Sequence, residues 1–126
     1  MPTIRVRTST GPAAEVELRA GGSPTITELL RSLPFTSKAQ VWGDEVYFSA
    51  PFHSELEKDA RAEMKVGEVA FWPDGDALAL FFGPTPISDG REPRAVSPCN
   101  VVGSILGDPL ILRSVRAGAM VTVESV

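Results

Sequence analysis

The stretch from Val69 to Phe82 constrains the fold more than any other part of the chain. Val69-Ala70-Phe71-Trp72 and Ala77-Leu78-Ala79-Leu80-Phe81-Phe82 flank the segment Pro73-Asp74-Gly75-Asp76. Apolar residues fill both parities of each run, which in a strand means burial on both faces. The central Asp-Gly predicts a hairpin turn with positive φ between two such strands.

Weaker strand signals surround this ribbon. Ile4 and Val6 alternate with Arg5 and Arg7, and Val16 and Leu18 alternate with Glu15, Glu17 and Arg19. This pattern predicts a half-buried hairpin with Arg5 and Arg7 set opposite Glu15 and Glu17, each pair contributing roughly 0.2–1 kcal/mol. Between Lys38 and Phe48, Trp42-Gly43-Asp44 interrupts two apolar stretches, which predicts two strands joined by a tight turn. Val101 to Leu106 reads as a buried strand, and Val121 and Val123 alternate in a last one.

Two short helices complete the pattern. Thr25-Ile26-Thr27-Glu28 has the form of a capping box, Ile26, Leu29, Leu30 and Leu33 follow at helical spacing, and Pro34 ends the run. Asp108 is placed to cap a second helix, with Pro109 at its first position, Leu110, Ile111, Leu112 and Val115 inside, and Gly118 beyond its end. The charged segment from Ser54 to Glu63 reads as a solvated helical turn or a mobile loop. Gly83 to Pro98, with four prolines, reads as a loop of about 15 residues, a length more often functional than incidental. The sum is about eight short strands with two helices in one domain over residues 1–126, mainly β, with closure into a barrel as the economical way to remove strand edges.

Charge and cysteine content exclude several functions. Twelve basic against sixteen acidic residues give a net charge of −4, with no basic patch for a phosphate backbone, so nucleic acid is not an expected partner. One cysteine, Cys99, and one histidine, His53, exclude an internal disulfide and the usual Cys/His zinc sets. No metal and no cofactor are expected, and the thiol usage fits a reducing, cytoplasmic setting. Uncharged runs stay below about 18 apolar residues, so no membrane partner is expected. The N-terminal Met-Pro-Thr-Ile-Arg enters alternation without the apolar region of a secretory signal.

No phosphate-cradling loop, dinucleotide fingerprint, H-E-x-x-H or C-x-x-C is present. His53 follows Pro51-Phe52 without a serine elbow beside it, and reads as an ordinary exposed or hydrogen-bonded imidazole. Cys99 adjoins an apolar strand without a basic neighbour and reads as a small hydrophobe. Asp74-Gly75-Asp76 lacks the order and the terminal glutamate of a calcium loop and reads as a turn. Seven of the nine aromatic residues lie in two hairpins, too many for one buried parity, so some face outward and an apolar groove is expected.

The run Leu80-Phe81-Phe82, the loop Thr85 to Arg91, and Asn100-Val101-Val102-Gly103-Ser104-Ile105 resemble the C-terminal half of cyclophilins, where a Q-F-F-I strand precedes a W-L-D-G-K-H loop and a V-F-G-K-V strand. The chain is more similar still to a small family of prokaryotic cyclophilin-like proteins in which W-G-x-E-x-Y-F-S and G-x-V-x-x-W-P-x-G-x-A-L-x-L-F-F-G-x-T-P recur. Trp42 to Ser49 and Gly67 to Pro86 match these motifs. The resemblance implies a closed cyclophilin-like barrel of about eight strands with helices over its ends, in agreement with the strand count.

Prolyl isomerases of the resembled family use an arginine that hydrogen-bonds the prolyl amide, a hydrophobic proline pocket, and a loop Trp and His. Phe82 matches the pocket phenylalanine and Asp89-Gly90 match the loop, but Ile87 stands at the Trp position and Glu92 at the His position. The counterpart of the arginine-bearing segment, around Glu45 to Phe52, holds no arginine. Rotation about a prolyl bond has a barrier of about 18–20 kcal/mol, and an apolar pocket without a cation leaves most of it standing. The preferred reading is a binding module whose groove, walled by Tyr47, Phe48, Trp72 and Phe82 with Thr85 and Ile87 at its loop side and Glu45 or Arg91 as polar anchor, holds a peptide segment or small ligand. The alternative is a divergent peptidyl-prolyl isomerase acting on X-Pro bonds, with Arg91 or Arg94 supplying the catalytic cation. A third is a structural subunit that forms a homo-oligomer through exposed aromatics.

Overall fold

The computed structural model describes residues 2–126. Its strands are β1 (Thr3–Thr8), β2 (Gly11–Leu18), β3 (Phe35–Lys38), β4 (Gln40–Val41), β5 (Glu45–Ser49), β6 (Arg61–Glu63), β7 (Glu68–Trp72), β8 (Ala77–Phe81), β9 (Arg94–Leu106) and β10 (Met120–Ser125). Helix α1 spans Pro24–Ser32, and a 3-10 helix spans Pro109–Ser114. The mainly β architecture with two short helices is the one expected, with two strands more than the sequence suggested. The additions are β3, directly after Pro34, and β6, inside the charged segment that was expected to be helical or mobile.

The strands form one antiparallel sheet in the order β3-β10-β1-β2-β9-β7-β8-β5-β4, with β6 pairing β9 off this path. The two ends, β3 and β4, are separated in the chain only by the buried Ala39, whose N–H donates to Ala119 O at 2.8 Å. No ladder joins those ends among the described residues. Contact across the seam is through side chains, with the rings of Phe35 and Phe48 centred 6.3 Å apart. The hydrogen-bonded closure expected of a barrel is therefore not made among the described residues.

Inward-pointing residues of every long strand form the main core: Ile4 and Val6, Val16 and Leu18, Val46 and Phe48, Leu78 and Leu80, Val121 and Val123, closed by Leu29 of α1. A second cluster lies on the opposite face of β7 and β8, where Ala70, Ala79 and Phe81 meet Met64, Ala95 and Cys99. This outer layer explains why β8 is buried at every position, as the apolar double parity of its sequence required.

Several local expectations are corrected. In the β7–β8 connection the left-handed residue is Asp76, at φ 47°, after a 3-10 turn over Pro73–Gly75. Gly75 is needed for space: a Cβ there would lie 2.4 Å from Cζ3 of Trp72. Helix α1 is capped by Ser23, whose hydroxyl accepts from the Ile26 N–H at 3.0 Å, leaving the Thr25 side chain buried and free for another task. Arg5 does meet Glu15, at 3.2 Å, but Arg7 pairs with Glu124 because β10 flanks β1 on its other side. The proline-rich loop ends at Pro93, and Pro98 falls within β9. Asp108 caps the second helix as expected, accepting from the Leu110 N–H at 3.0 Å. No helix among the described residues is long and apolar enough to cross a membrane.

Candidate functional site

Strand β5 leaves a turn that is held from several sides. The Trp42 N–H donates to Glu45 O at 2.9 Å, the Asp44 N–H to Pro84 O at 3.0 Å, and the Phe82 N–H to Asp44 O at 2.9 Å. Gly43 sits at φ 61°, and a Cβ there would meet Pro86 Cδ at 2.8 Å, so both its conformation and its packing call for glycine. Beyond the turn, pairing of Glu45 with Phe81 and of Tyr47 with Ala79 sets the register of β5 on β8. Val46 and Phe48 enter the main core, so Glu45 and Tyr47 stand on the outer face.

There they meet Trp72 at the end of β7 and the first residues of β9. The Trp72 indole Nε1–H donates to Ser97 Oγ at 2.7 Å, which fixes the ring between the two strands. Trp42, Glu45, Tyr47 and Trp72, with Ala95, Val96 and Cys99, line a cleft of about 240 Å³. No lysine, arginine or histidine is among the lining residues.

Glu45 is the unusual member. Its side chain is 8% exposed, and its Oε1 is buried without a hydrogen-bond partner. Burial disfavours the charged form and pushes the carboxyl up to about 7. The Cys99 thiol is pushed up to about 12, by burial first and then by the negative charges of Glu45 and Asp74, so it stays protonated and unreactive at neutral pH. At neutral pH this cleft offers one carboxyl near its midpoint, two indoles, a phenol and an inert thiol. Such a set has the chemistry to hold a ligand by apolar, aromatic and polar contact, and its one thiol is not activated.

The structure brings together three of the groove residues expected from sequence, Glu45, Tyr47 and Trp72, and separates the others. Phe48 and Phe82 are in the main core and do not reach the cleft. Thr85 is buried in a loop anchor, its hydroxyl donating to Arg94 O. Ile87 is 43% exposed on the same loop and does not line the cleft. Arg91 and Arg94 line a separate shallow depression with Asp89 and Glu92, and Arg94 pairs with Glu63 at 3.2 Å. Trp42, counted among the aromatics but not among the groove residues, is part of the wall. So is the Ala95 to Cys99 segment, whose sequence carried no signal beyond an apolar edge.

His53 lies outside the cleft, with Nδ1 2.6 Å from Asp76 Oδ1 and Nε2 against Glu55. Those bonds, to Asp76 first and then to Glu55, raise its pKa above the ordinary histidine value. No group of three or more potential metal ligands occurs among the described residues.

The profile of the family described as Cyclophilin-like matches residues 2–124. The chain is 37% identical to the hypothetical protein AF2241 from Archaeoglobus fulgidus, known from a solution structure. That likeness covers 99% of this chain and 95% of the other, with a TM-score of 0.84. No curated protein matches the chain. A family match over nearly the whole length, together with the shared fold, leads to one conclusion: this chain belongs to the cyclophilin-like family.

Proposed function

We propose that the protein is a binding module whose ligand, a peptide segment or a small molecule, seats part of itself among Trp42, Tyr47 and Trp72 and sets a polar group against Glu45. The observation that carries this reading is the Glu45 carboxyl, shut away from water with one oxygen unpaired. Leaving a buried polar group without a partner costs about 1–3 kcal/mol, which a purely structural cleft has no reason to bear. A cleft of 240 Å³ lies below the roughly 300–1,000 Å³ of drug-sized sites, so it suits one side chain or a small molecule.

The alternative, an isomerase of X-Pro bonds, requires a cation against the prolyl amide. The cleft lining contains none, and Arg91 and Arg94 face a different depression, so the geometry supports binding over isomerisation. A single buried, protonated cysteine accords with a cytoplasmic setting for the module.

The test is NMR titration of the protein with a panel of short peptides and small amphipathic molecules, with X-Pro exchange followed in the same samples. Shifts confined to the indoles of Trp42 and Trp72 and to the neighbours of Glu45, without accelerated exchange, are expected. Accelerated exchange that falls in Arg91→Ala or Arg94→Ala would replace this reading with the isomerase. Shifts that avoid the cleft for every compound would end it.

A further inference from the structure

We propose that the group held in this cleft is an organic cation, an alkylated ammonium carried by a small molecule or by a modified lysine side chain, with Glu45 as its counter-charge. The proposal rests on the reading of the cleft as a binding site and names the chemistry of its ligand.

Three observations converge. First, Trp42, Tyr47 and Trp72 line one small cleft, and none of them stacks on another: the ring pairs in contact among the described residues are Phe35–Phe48 and Phe52–Phe71. Aromatic rings carry negative faces, and a cation within about 6 Å of a ring centroid is attracted, most strongly by Trp and most of all where water is excluded. Second, Glu45 lines that cleft, and its Oε1 is buried and unpartnered. Third, no basic side chain lines it, so no lining residue neutralises Glu45.

Other ligand classes fit less well. An anion would meet the Glu45 carboxylate with no basic side chain in the lining to offset the repulsion. A neutral amide or alcohol could bond Oε1 but would leave the attraction of the rings for positive charge unused. A primary ammonium has three N–H donors to satisfy in a wall made mostly of apolar and aromatic side chains. A di- or trimethylated ammonium presents one donor or none, loses less hydration on entering, and offers methyl groups to the apolar wall.

Charge on Glu45 ties binding to pH. The other ionisable groups in the wall are Tyr47 on the same strand and Cys99 on β9, and Asp74 acts on Cys99 from the β7–β8 turn. Because burial holds the thiol near 12, Glu45 is the wall group whose titration near neutral pH is expected to govern the affinity.

The chain has two tryptophans, and both line the cleft, so intrinsic fluorescence reports directly on its occupancy. The decisive comparison titrates the protein at pH 8 with choline and with its neutral isostere 3,3-dimethylbutan-1-ol. Choline is expected to bind at least about tenfold more tightly. That preference should shrink as the pH falls through 7 and be smaller at every pH in Glu45→Gln, a shape-conserving change checked for folding by circular dichroism. Trp72→Phe, which keeps a ring, should retain the preference with weaker binding. A second pair, a trimethyllysine peptide and the same peptide with norleucine, separates the sources. Tighter binding of the modified peptide than of choline places the cation on a protein chain, the reverse places it on a free small molecule, and either supports the proposal. Equal affinity for choline and its isostere would overturn the cation while leaving the cleft as a binding site. No fluorescence response to any of these compounds, with no shifts at the cleft in the peptide panel, would overturn both.

Discussion

Asn100 and Glu45 are both polar side chains removed from water, and their surroundings differ in one respect. The Asn100 amide is fully buried, and its Oδ1 accepts from the Glu57 N–H at 2.8 Å while its Nδ2 donates to Glu55 O at 2.9 Å and to Thr25 Oγ1 at 3.0 Å. Thr25, released from capping by Ser23, has one proton to give, to Glu57 Oε2, and so accepts from both Asn100 and Ser54 Oγ. Arg19, the residue after β2, then holds Glu57 at 2.9 Å. This network pins α1 and the irregular segment after β5 to β9. Glu45 lines a cleft, and its Oε1 has no hydrogen-bond partner. A satisfied buried polar group stabilises and specifies the fold; an unsatisfied one lowers stability.

The comparison is broken or sharpened by four measurements. Asn100→Ala leaves the Glu57 N–H and the Glu55 carbonyl without partners and should cost about 4 kcal/mol in urea unfolding. Glu45→Gln should act in the opposite direction. Burial raises the Glu45 carboxyl from 4.5 to about 7, so the folded state holds its proton more tightly than the unfolded state does. The stability this contributes is complete below pH 4.5 and is lost as the pH rises through 7. The glutamine variant lacks that loss and should be more stable than the parent by about 2 kcal/mol at pH 8, with the difference closing toward pH 5. A Glu45→Gln penalty like that of Asn100→Ala would make Glu45 structural and collapse the distinction.

Thr25→Val keeps shape but removes the hub hydroxyl, and should cost about 1.5 kcal/mol. Its effect should combine less than additively with that of Asn100→Ala, since both act on one network. Arg94→Ala removes a half-exposed pair with Glu63 and should change stability by no more than about 0.5 kcal/mol, with the tryptophan emission of the cleft unchanged. A clear shift in that emission would mean that the Arg91–Arg94 depression and the cleft are coupled after all.

Much of this was legible in the chain. The double parity of Val69 to Phe82 announced a ribbon covered on both faces, and the Ile4–Val6 and Val16–Leu18 alternation announced the first hairpin. The strand at Arg61–Glu63 was not legible, because three residues, Arg, Ala and Glu, carry no periodicity and their pairing is decided by β9 and by the two hydrogen bonds of the Arg61 guanidinium to the Glu68 carboxylate, at 2.8 and 2.7 Å. The cap of α1 was misplaced by two residues because Ser23 and Thr25 both qualify chemically. Pro24 at the first helical position decides for Ser23.

The candidate site divides in the same way. Sequence alone determined that this chain holds more aromatic side chains in two hairpins than one core can absorb, that Glu45 sits among them, and that nucleophile, metal and phosphate motifs are missing. It could not determine which aromatics face the cleft. Tyr47 and Phe48 are neighbours and must point to opposite sides of β5, yet when both faces of a sheet are apolar, alternation does not say which is inside. Only the curl of the whole sheet made Phe48 and Phe82 core and left Tyr47, Trp72 and Trp42 around an unpaired carboxylate. The same long-range packing carried Arg91 and Arg94 to a different depression, because a loop's position is set by the strands it joins and not by its own residues.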